Sequence, residues 1–226
     1  MDYAIRTEHL KKCYKLSDGT LFYATNDISI NIKEGTLAIL KGRSGSGKTT
    51  LLNSISALDE PTEGKIYFFG EDMTLMSERQ KEELRRRKMG FVFQSIALIP
   101  VMTAYENVDF ALRLAGYEGD RDGRIKELLT RVGLKKRMDH MVNMLSGGEQ
   151  QRVAIARAVA HHPRIVFADE PTGALDTLSG LKVMELFKEL VRDENITIVM
   201  TTHDPSLMEL GDVVYEIEDG KISAGE

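Results

Sequence analysis

The chain has 226 residues, of which 42% are apolar, 29% charged and 7% aromatic, a globular composition that excludes disorder and collagen-like repeats. Thirty lysines and arginines against 35 acidic residues give a formal net charge of −5, so general nucleic-acid binding is disfavoured while a local basic patch is not. The length fits one large domain or one domain with a sizeable insertion.

In chain order, Asp27-Ile28-Ser29-Ile30-Asn31-Ile32 alternates strictly and predicts a half-buried strand with Ile28, Ile30 and Ile32 on one face. Lys33-Glu34-Gly35 supplies a turn, and Leu37-Ala38-Ile39-Leu40, apolar at every position, predicts a strand covered on both faces, as in a parallel sheet. Similar runs recur at Met89–Phe93, Ile165–Ala168 and Ile196–Met200. Helical spacing appears at Leu51, Leu52, Ile55 and Leu58. A capped helix opens at Ser77-Glu78-Arg79-Gln80 and ends in Arg85-Arg86-Arg87-Lys88. Thr103-Ala104-Tyr105-Glu106 is a capping box for a helix reaching about Ala115, with Val108, Ala111, Leu112 and Ala115 on one face. Further helices are expected at 124–132 and 149–160, and Asp204-Pro205 opens a short one over 205–210. Asp219-Gly220 signals a two-residue hairpin. The pattern predicts a single α/β domain: a mixed-sheet core over about 1–93 and 164–226, holding a helical insertion at about 94–163.

The lone Cys13 forms no intrachain disulfide and no metal set, is read as a small packing residue, and fits a reducing cytoplasm. The richest apolar run, Ile96 to Met102, is short and contains Pro100, and the N-terminal stretch lacks the apolar centre of a signal peptide. The polypeptide is therefore expected neither to cross nor to enter a membrane by itself.

Gly42-Arg43-Ser44-Gly45-Ser46-Gly47-Lys48-Thr49 matches the P-loop pattern directly after the buried strand and before an apolar helix. Its glycines let backbone amides turn around phosphate oxygens, and the helix N-terminus adds partial positive charge. Lys48 is expected to reach the β and γ phosphates, and the Thr49 hydroxyl to bind Mg²⁺. A second buried strand ends in Asp169-Glu170: an aspartate there can orient Mg²⁺, and the next carboxylate is a candidate general base facing the attacking water. A second glycine loop, Leu145-Ser146-Gly147-Gly148-Glu149-Gln150-Gln151-Arg152, leads into a helix and offers another phosphate-binding surface, a redundancy unexplained if the chain works alone.

This stretch, with the P-loop and the carboxylate pair in the same order, strongly resembles the signature of the ATP-binding cassette family. The resemblance spans nearly the whole chain and implies a P-loop NTPase, RecA-like core with a mixed sheet and an inserted α-helical subdomain. It further implies that two cassettes face head to tail, each ATP lying between the P-loop of one and the signature loop of the other. Residues 42 to 49 with Thr50 would hold one nucleotide, while Ser146, Gly147, Gly148 and Glu149 would approach the nucleotide of the partner. Gln94 matches the glutamine loop near Mg²⁺ and the lytic water, and His203 the switch histidine on the γ-phosphate. Asp176, in Ala174-Leu175-Asp176, belongs to the loop joining the two sites, and Tyr14 matches the aromatic that stacks on adenine. By this likeness Glu170, His203, Gln94 and Lys48 act in catalysis, and Thr49, Gln94 and Asp169 serve the metal.

Two departures are small: Thr49 stands where many relatives have serine, and Gly173 precedes Ala174 where many also have serine. Gly173, with Leu84 to Gln94 and Leu98-Ile99-Pro100, resembles the lipoprotein-release and macrolide-export (LolD/MacB-like) branch. The resemblance implies an ATPase binding ATP and Mg²⁺, paired with a second copy or a homologous cassette, and driving a separate membrane permease from the cytoplasmic face of the membrane. An exporter or force-transmitting complex is expected, and an importer, a soluble cassette on ribosomes or DNA, or a small-molecule P-loop kinase are the competing readings. No nucleic-acid partner is expected. The basic run 85–88 reads either as a solvated helix end or as a contact for headgroups or an acidic loop. Met138, Met141 and Met144 read as a packing face, and His161-His162 as imidazolium at a helix end.

Overall fold

The computed structural model describes residues 3–173 and 175–225. Its elements are β1 (Tyr3–Lys15), β2 (Leu21–Ile28), β3 (Asn31–Lys33), β4 (Leu37–Lys41), α1 (Lys48–Ile55), β5 (Glu63–Phe68), β6 (Glu71–Asp72), α2 (Glu78–Lys88) and β7 (Met89–Val92). There follow α3 (Ala104–Ala115), α4 (Arg121–Arg131), α5 (Gly147–Val159), β8 (Ile165–Ala168), α6 (Thr177–Glu194), β9 (Thr197–Thr202), α7 (Pro205–Met208), β10 (Val213–Glu218) and β11 (Lys221–Gly225).

The all-apolar runs lie in the middle of a sheet ordered β11-β10-β4-β9-β8-β7, parallel throughout except for the β10–β11 hairpin. Alternation along these strands feeds two cores. Leu37, Ile39, Val166, Ala168, Ile198 and Met200 pack with Val108, Leu112, Leu128, Val153 and Phe187 of the helices on one face. Ala38, Leu40, Phe167 and Val199 face the other way, against Leu51, Leu52 and Ile55 of α1 and Ile5, Ile28, Ile30 and Ile32 of the second sheet. That second sheet is antiparallel, ordered β2-β1-β5-β6 with β3 also paired to β1. Helix α1 is thus clamped between two sheets, and each of its buried aliphatic side chains contributes about 2–3 kcal/mol.

Several expectations need correction. The strand at Asp27–Ile32 is broken: β2 ends at Ile28 and β3 begins at Asn31, although Ile28, Ile30 and Ile32 are all buried as expected. The Thr7 hydroxyl causes the break by donating to the Ile28 carbonyl and accepting from the Ile30 amide, both at 3.0 Å, replacing a strand-to-strand ladder. Leu58 lies beyond α1 and is 45% exposed, because the helix stops at Ile55 and Ala57 turns left-handed with φ 58°. Helix α4 starts three residues early, capped by Asp120, α5 starts at Gly147, and α7 is shorter than expected. The methionines do not share one helix face: Met138 packs on the core, whereas Met144, at the end of a 3-10 turn, is 66% exposed. His161 follows the C-cap of α5, at a helix end as expected, but burial pushes its pKa below the ordinary histidine range, and its Nε2 lies 3.2 Å from the Met89 carbonyl oxygen. In the basic run Arg87 and Lys88 are exposed, in keeping with a solvated helix end, while Arg86 and Arg87 pair with Glu83 of the same helix at 2.6 and 2.5 Å and Arg85 donates to the Ala57 carbonyl.

Helix α5 lies against β7 so closely that a Cβ on Gly90 would run into the carbonyl oxygen of Ala158. Gly90→Ala is expected to cost about 1–3 kcal/mol by forcing these elements apart. Urea-midpoint measurements check this, and an unchanged midpoint would mean that α5 moves freely off the strand.

Candidate functional site

After β4 the chain must reverse into α1 while leaving its amides free, and left-handed glycines make this possible. Gly45 and Gly47 have φ 79° and 105°, and a Cβ on Gly47 would collide with the Ala24 carbonyl oxygen. The cradle runs Gly42, Arg43, Ser44, Gly45, Ser46, Gly47, Lys48, Thr49, Thr50, with the last three inside α1. Lys48 is only 5% exposed, and its ammonium donates to the Gly42 and Arg43 carbonyls at 2.9 Å each. Neutral carbonyls hold a buried ammonium less strongly than an anionic phosphate does, so this group is ready to exchange partners. The buried Ser46 hydroxyl has no hydrogen-bond partner among the described residues. A left-handed glycine turn, a buried cation, an orphaned hydroxyl and a helix N-terminus together fit a polyphosphate.

Thr49 reaches across to the carboxylate pair, donating its hydroxyl to Asp169 at 3.0 Å from Oδ1 and 3.1 Å from Oδ2. Strand β8 is not the immediate neighbour of β4, since β9 lies between them, and β9 supplies the link. The fully buried Thr201 at the end of β9 donates its hydroxyl to Asp169 Oδ1 at 2.7 Å and accepts the Glu170 amide at 2.8 Å. Glu170 has a left-handed backbone, φ 43°, an uncommon conformation for a glutamate. Its carboxylate is bracketed: Gln94 Nε2 donates to Oε2 at 3.3 Å, and His203 Nδ1 lies 3.4 Å from Oε1. Gln94, Asp169, Glu170, His203, Lys48 and Thr49 thus converge on one end of the parallel sheet. A small hard cation takes oxygen ligands and keeps waters and phosphates in its shell. Thr49 and Asp169 offer it two oxygen donors, a donor set that suits Mg²⁺.

The remaining predicted residues lie around this centre. Tyr14 is 42% exposed and donates its hydroxyl to Asp59 at 3.1 Å, and the Lys12 ammonium lies over its ring, 5.3 Å from the centre. Ser146 caps α5, its hydroxyl accepting the Glu149 amide at 3.3 Å while Glu149 returns a bond from the Ser146 amide at 2.8 Å. That amide holds the Glu149 carboxyl below the usual carboxylate range, so Glu149 serves its own helix end. Gly147 and Gly148 follow in the first turn, and no hydrogen bond joins them to the P-loop among the described residues. Asp176 caps α6, accepting from the Ser179 hydroxyl at 2.7 Å, which holds its carboxyl below the usual range. Ala174 lies outside the described residues. Sequence reasoning missed Thr201 and Asp59. Neither carries a local signal, since each acts through a partner distant in sequence, Asp169 for Thr201 and Tyr14 for Asp59.

The sequence pattern described as ABC transporter matches residues 25–173. MJ0796 of Methanocaldococcus jannaschii, an ABC transporter ATP-binding protein, is 42% identical over 98% of this chain and 96% of its own. The macrolide export ATP-binding/permease protein MacB of Syntrophobacter fumaroxidans is 42% identical over 96% of this chain, which spans 31% of that longer protein. Among solved structures, dimeric MJ0796 superposes with a TM-score of 0.91 at 41% identity, covering 98% of this chain and 97% of that one. A dimeric post-hydrolysis state of the same cassette, bound to ADP and Pi, gives 0.90 at 40% identity with the same coverage. From Clostridium perfringens, cbiO1, part of the ABC transporter complex cbiONQ, gives 0.87 at 30% identity, covering all of this chain and 88% of its own. With the family's sequence pattern matched over residues 25–173, and these relatives matched in identity and fold over nearly its whole length, the chain belongs to the ABC transporter family and is its ATP-binding, ATP-hydrolysing subunit.

Proposed function

We propose that two copies of this chain, or this chain and a homologous cassette, close on two Mg²⁺-ATP and use hydrolysis to drive a membrane permease of exporter or force-transmitting type. The observation that carries the chemistry is the bracketing of the Glu170 carboxylate by Gln94 and His203 beside the Thr49–Asp169 pair. In this reading Tyr14 stacks on adenine, amides 42 to 50 and Lys48 hold the phosphates, and Thr49, Asp169 and Gln94 serve the metal. Mg²⁺, when bound, neutralises charge on the β and γ oxygens. Glu170 takes a proton from the attacking water, Gln94 orients that water, and His203 steadies the γ-phosphate. Phosphoryl transfer asks mainly for alignment and charge neutralisation, which these residues supply.

Residues about 1–93 and 164–226 form the catalytic core in this reading, and about 94–163 the signature subdomain. Ser146, Gly147 and Gly148, with Glu149 locking their turn and Asp176 bordering them, would complete the partner's nucleotide site. Dimeric MJ0796 supports that pairing. The permease is inferred because no described helix is long and apolar enough to cross a membrane, while the MacB relative joins an ATP-binding part to a permease. Such a partner places the chain peripherally on the cytoplasmic face of the membrane.

Glu170→Gln is expected to bind ATP normally, to lose about 100-fold or more in turnover, and to accumulate an ATP-dependent dimer. Phosphate release and size-exclusion chromatography measure both, and wild-type turnover would remove Glu170 as the base. Lys48→Ala is expected to weaken ATP binding about 10- to 100-fold through loss of a charge-assisted bond, as read by equilibrium binding. Affinity purification of Glu170→Gln with ATP from detergent-solubilised membranes should retain a permease with few spans and a large extracytoplasmic domain. Recovery of a many-span permease with a solute-binding protein would overturn the exporter reading, and recovery of ribosomal proteins alone would overturn the transport reading.

A further inference from the structure

Arg157 lies on the last turn of α5, the helix whose N-terminus carries Ser146. Its guanidinium is drawn partly out of water, and burial alone pushes its pKa below the usual arginine range; no carboxylate contributes to that shift. Among the described residues its hydrogen bonds go to two backbone carbonyls, Nη1 to Ala97 at 2.6 Å and Nη2 to Ile96 at 3.4 Å. Those residues are themselves unusual: Ile96 and Ala97 have φ 64° and 49°, consecutive left-handed residues, the first of them β-branched. The two features explain each other. A desolvated cation needs acceptors, and the left-handed turn aims successive carbonyls at the same point, which extended chain does not do. The turn carries two backbone bonds of its own, Ile96 N–H to the Phe93 carbonyl at 2.9 Å and Ala97 N–H to the Ser95 carbonyl at 2.7 Å, and the guanidinium adds an anchor from outside the segment.

The segment between β7 and α3 is held at both ends. Beyond the turn, the fully buried Asn107 of α3 accepts the Ile99 amide at 2.8 Å and donates to the Ile99 carbonyl at 3.2 Å. Before it, Gln94 follows β7 by two residues and reaches Glu170. The backbone between Gln94 and the Asn107 anchor is therefore set by whatever fixes residues 96 and 97.

We propose that Arg157 is a positioning residue of the hydrolysis site: by holding the turn at Ile96 and Ala97 it sets Gln94 against Glu170 and ties the glutamine loop to the helix bearing the signature serine. The inference rests on the reading of Glu170 as base and Gln94 as its partner. Among the described residues Arg157 bonds the loop carbonyls and none of the P-loop residues, so its loss is expected to act on turnover through loop geometry and to leave ground-state binding alone.

The test compares wild type, Arg157→Met and Arg157→Lys in the full chain by ATP affinity, steady-state hydrolysis and melting temperature. Arg157→Met keeps the stem and removes both bonds, so kcat is expected to fall about tenfold while ATP affinity and KM stay within about twofold. Arg157→Lys keeps the charge and one carbonyl bond, and kcat should recover to about threefold below wild type. A merely structural arginine would lower the melting temperature and leave kcat per folded molecule unchanged, and that result overturns the proposal. So does an equal loss of binding and turnover in both variants. If the methionine variant does not fold, the lysine variant decides: a lowered kcat at unchanged KM supports the role, and an unchanged kcat overturns it. Wild-type turnover by Glu170→Gln, measured alongside, would mark failure of the underlying site reading instead.

Discussion

The Thr201 hydroxyl joins the carboxylate pair to the sheet. Consecutive strand residues point to opposite faces, so Asp169 and Glu170 would diverge if β8 simply continued. Thr201 resolves this with one oxygen, donating to the Asp169 carboxylate and accepting the Glu170 amide. The chain turns left-handed at Glu170, and both carboxylates stay at the same end of the sheet with separate duties. Strand order makes this possible: β9 lies between β4 and β8, which puts the P-loop strand and the carboxylate strand about 9–10 Å apart. Thr49 spans the remaining gap.

Charge is arranged in the same economical way. The molecule is acidic overall, yet its P-loop holds a buried ammonium on neutral carbonyls beside a helix N-terminus. Such an ammonium is poorly compensated until a stronger anion arrives. The signature loop has the complementary property. Its serine accepts a bond to cap α5, which uses the oxygen's lone pair and leaves the hydroxyl proton free to donate. Among the described residues that surface makes no bond to the P-loop of its own chain, in keeping with the proposed pairing of two cassettes.

How much of this was legible depended on whether the determining interaction is local. The P-loop, the Thr103 box and the Asp219-Gly220 hairpin were read correctly because each is a backbone shape demanded by a few adjacent residues. Helix α6, 18 residues long, drew no prediction although its signal is local: Val183, Met184, Phe187 and Leu190 are buried at helical spacing, with Lys182, Glu185 and Lys188 on the exposed face. The break at Ser29-Ile30 was invisible because it depends on Thr7, some twenty residues earlier. Thr201 escaped notice for the same reason, since a threonine ending a buried strand reads as β propensity until strand order gives it Asp169 as a neighbour. The site residues that sequence brought out were those whose own motif is contiguous. Those it missed support them from another element.

Backbone strain locates the same division of labour. Glu170, Ile96 and Ala97 are left-handed non-glycine residues, each costing about 1–3 kcal/mol, and each is held from a rigid element. Glu170 is held by the sheet through Thr201, whereas the turn after Gln94 is held by helices, through Arg157 of α5. The Gln94–Glu170 hydrogen bond, at 3.3 Å, is therefore the joint between a part of the molecule fixed by β8 and β9 and a part fixed by helix packing. A shift of α5 relative to the sheet would act at its contact with β7 and, through Arg157, at that joint, because among the described residues the other bonds to Glu170 come from the end of β9, the residues just beyond it and its own turn.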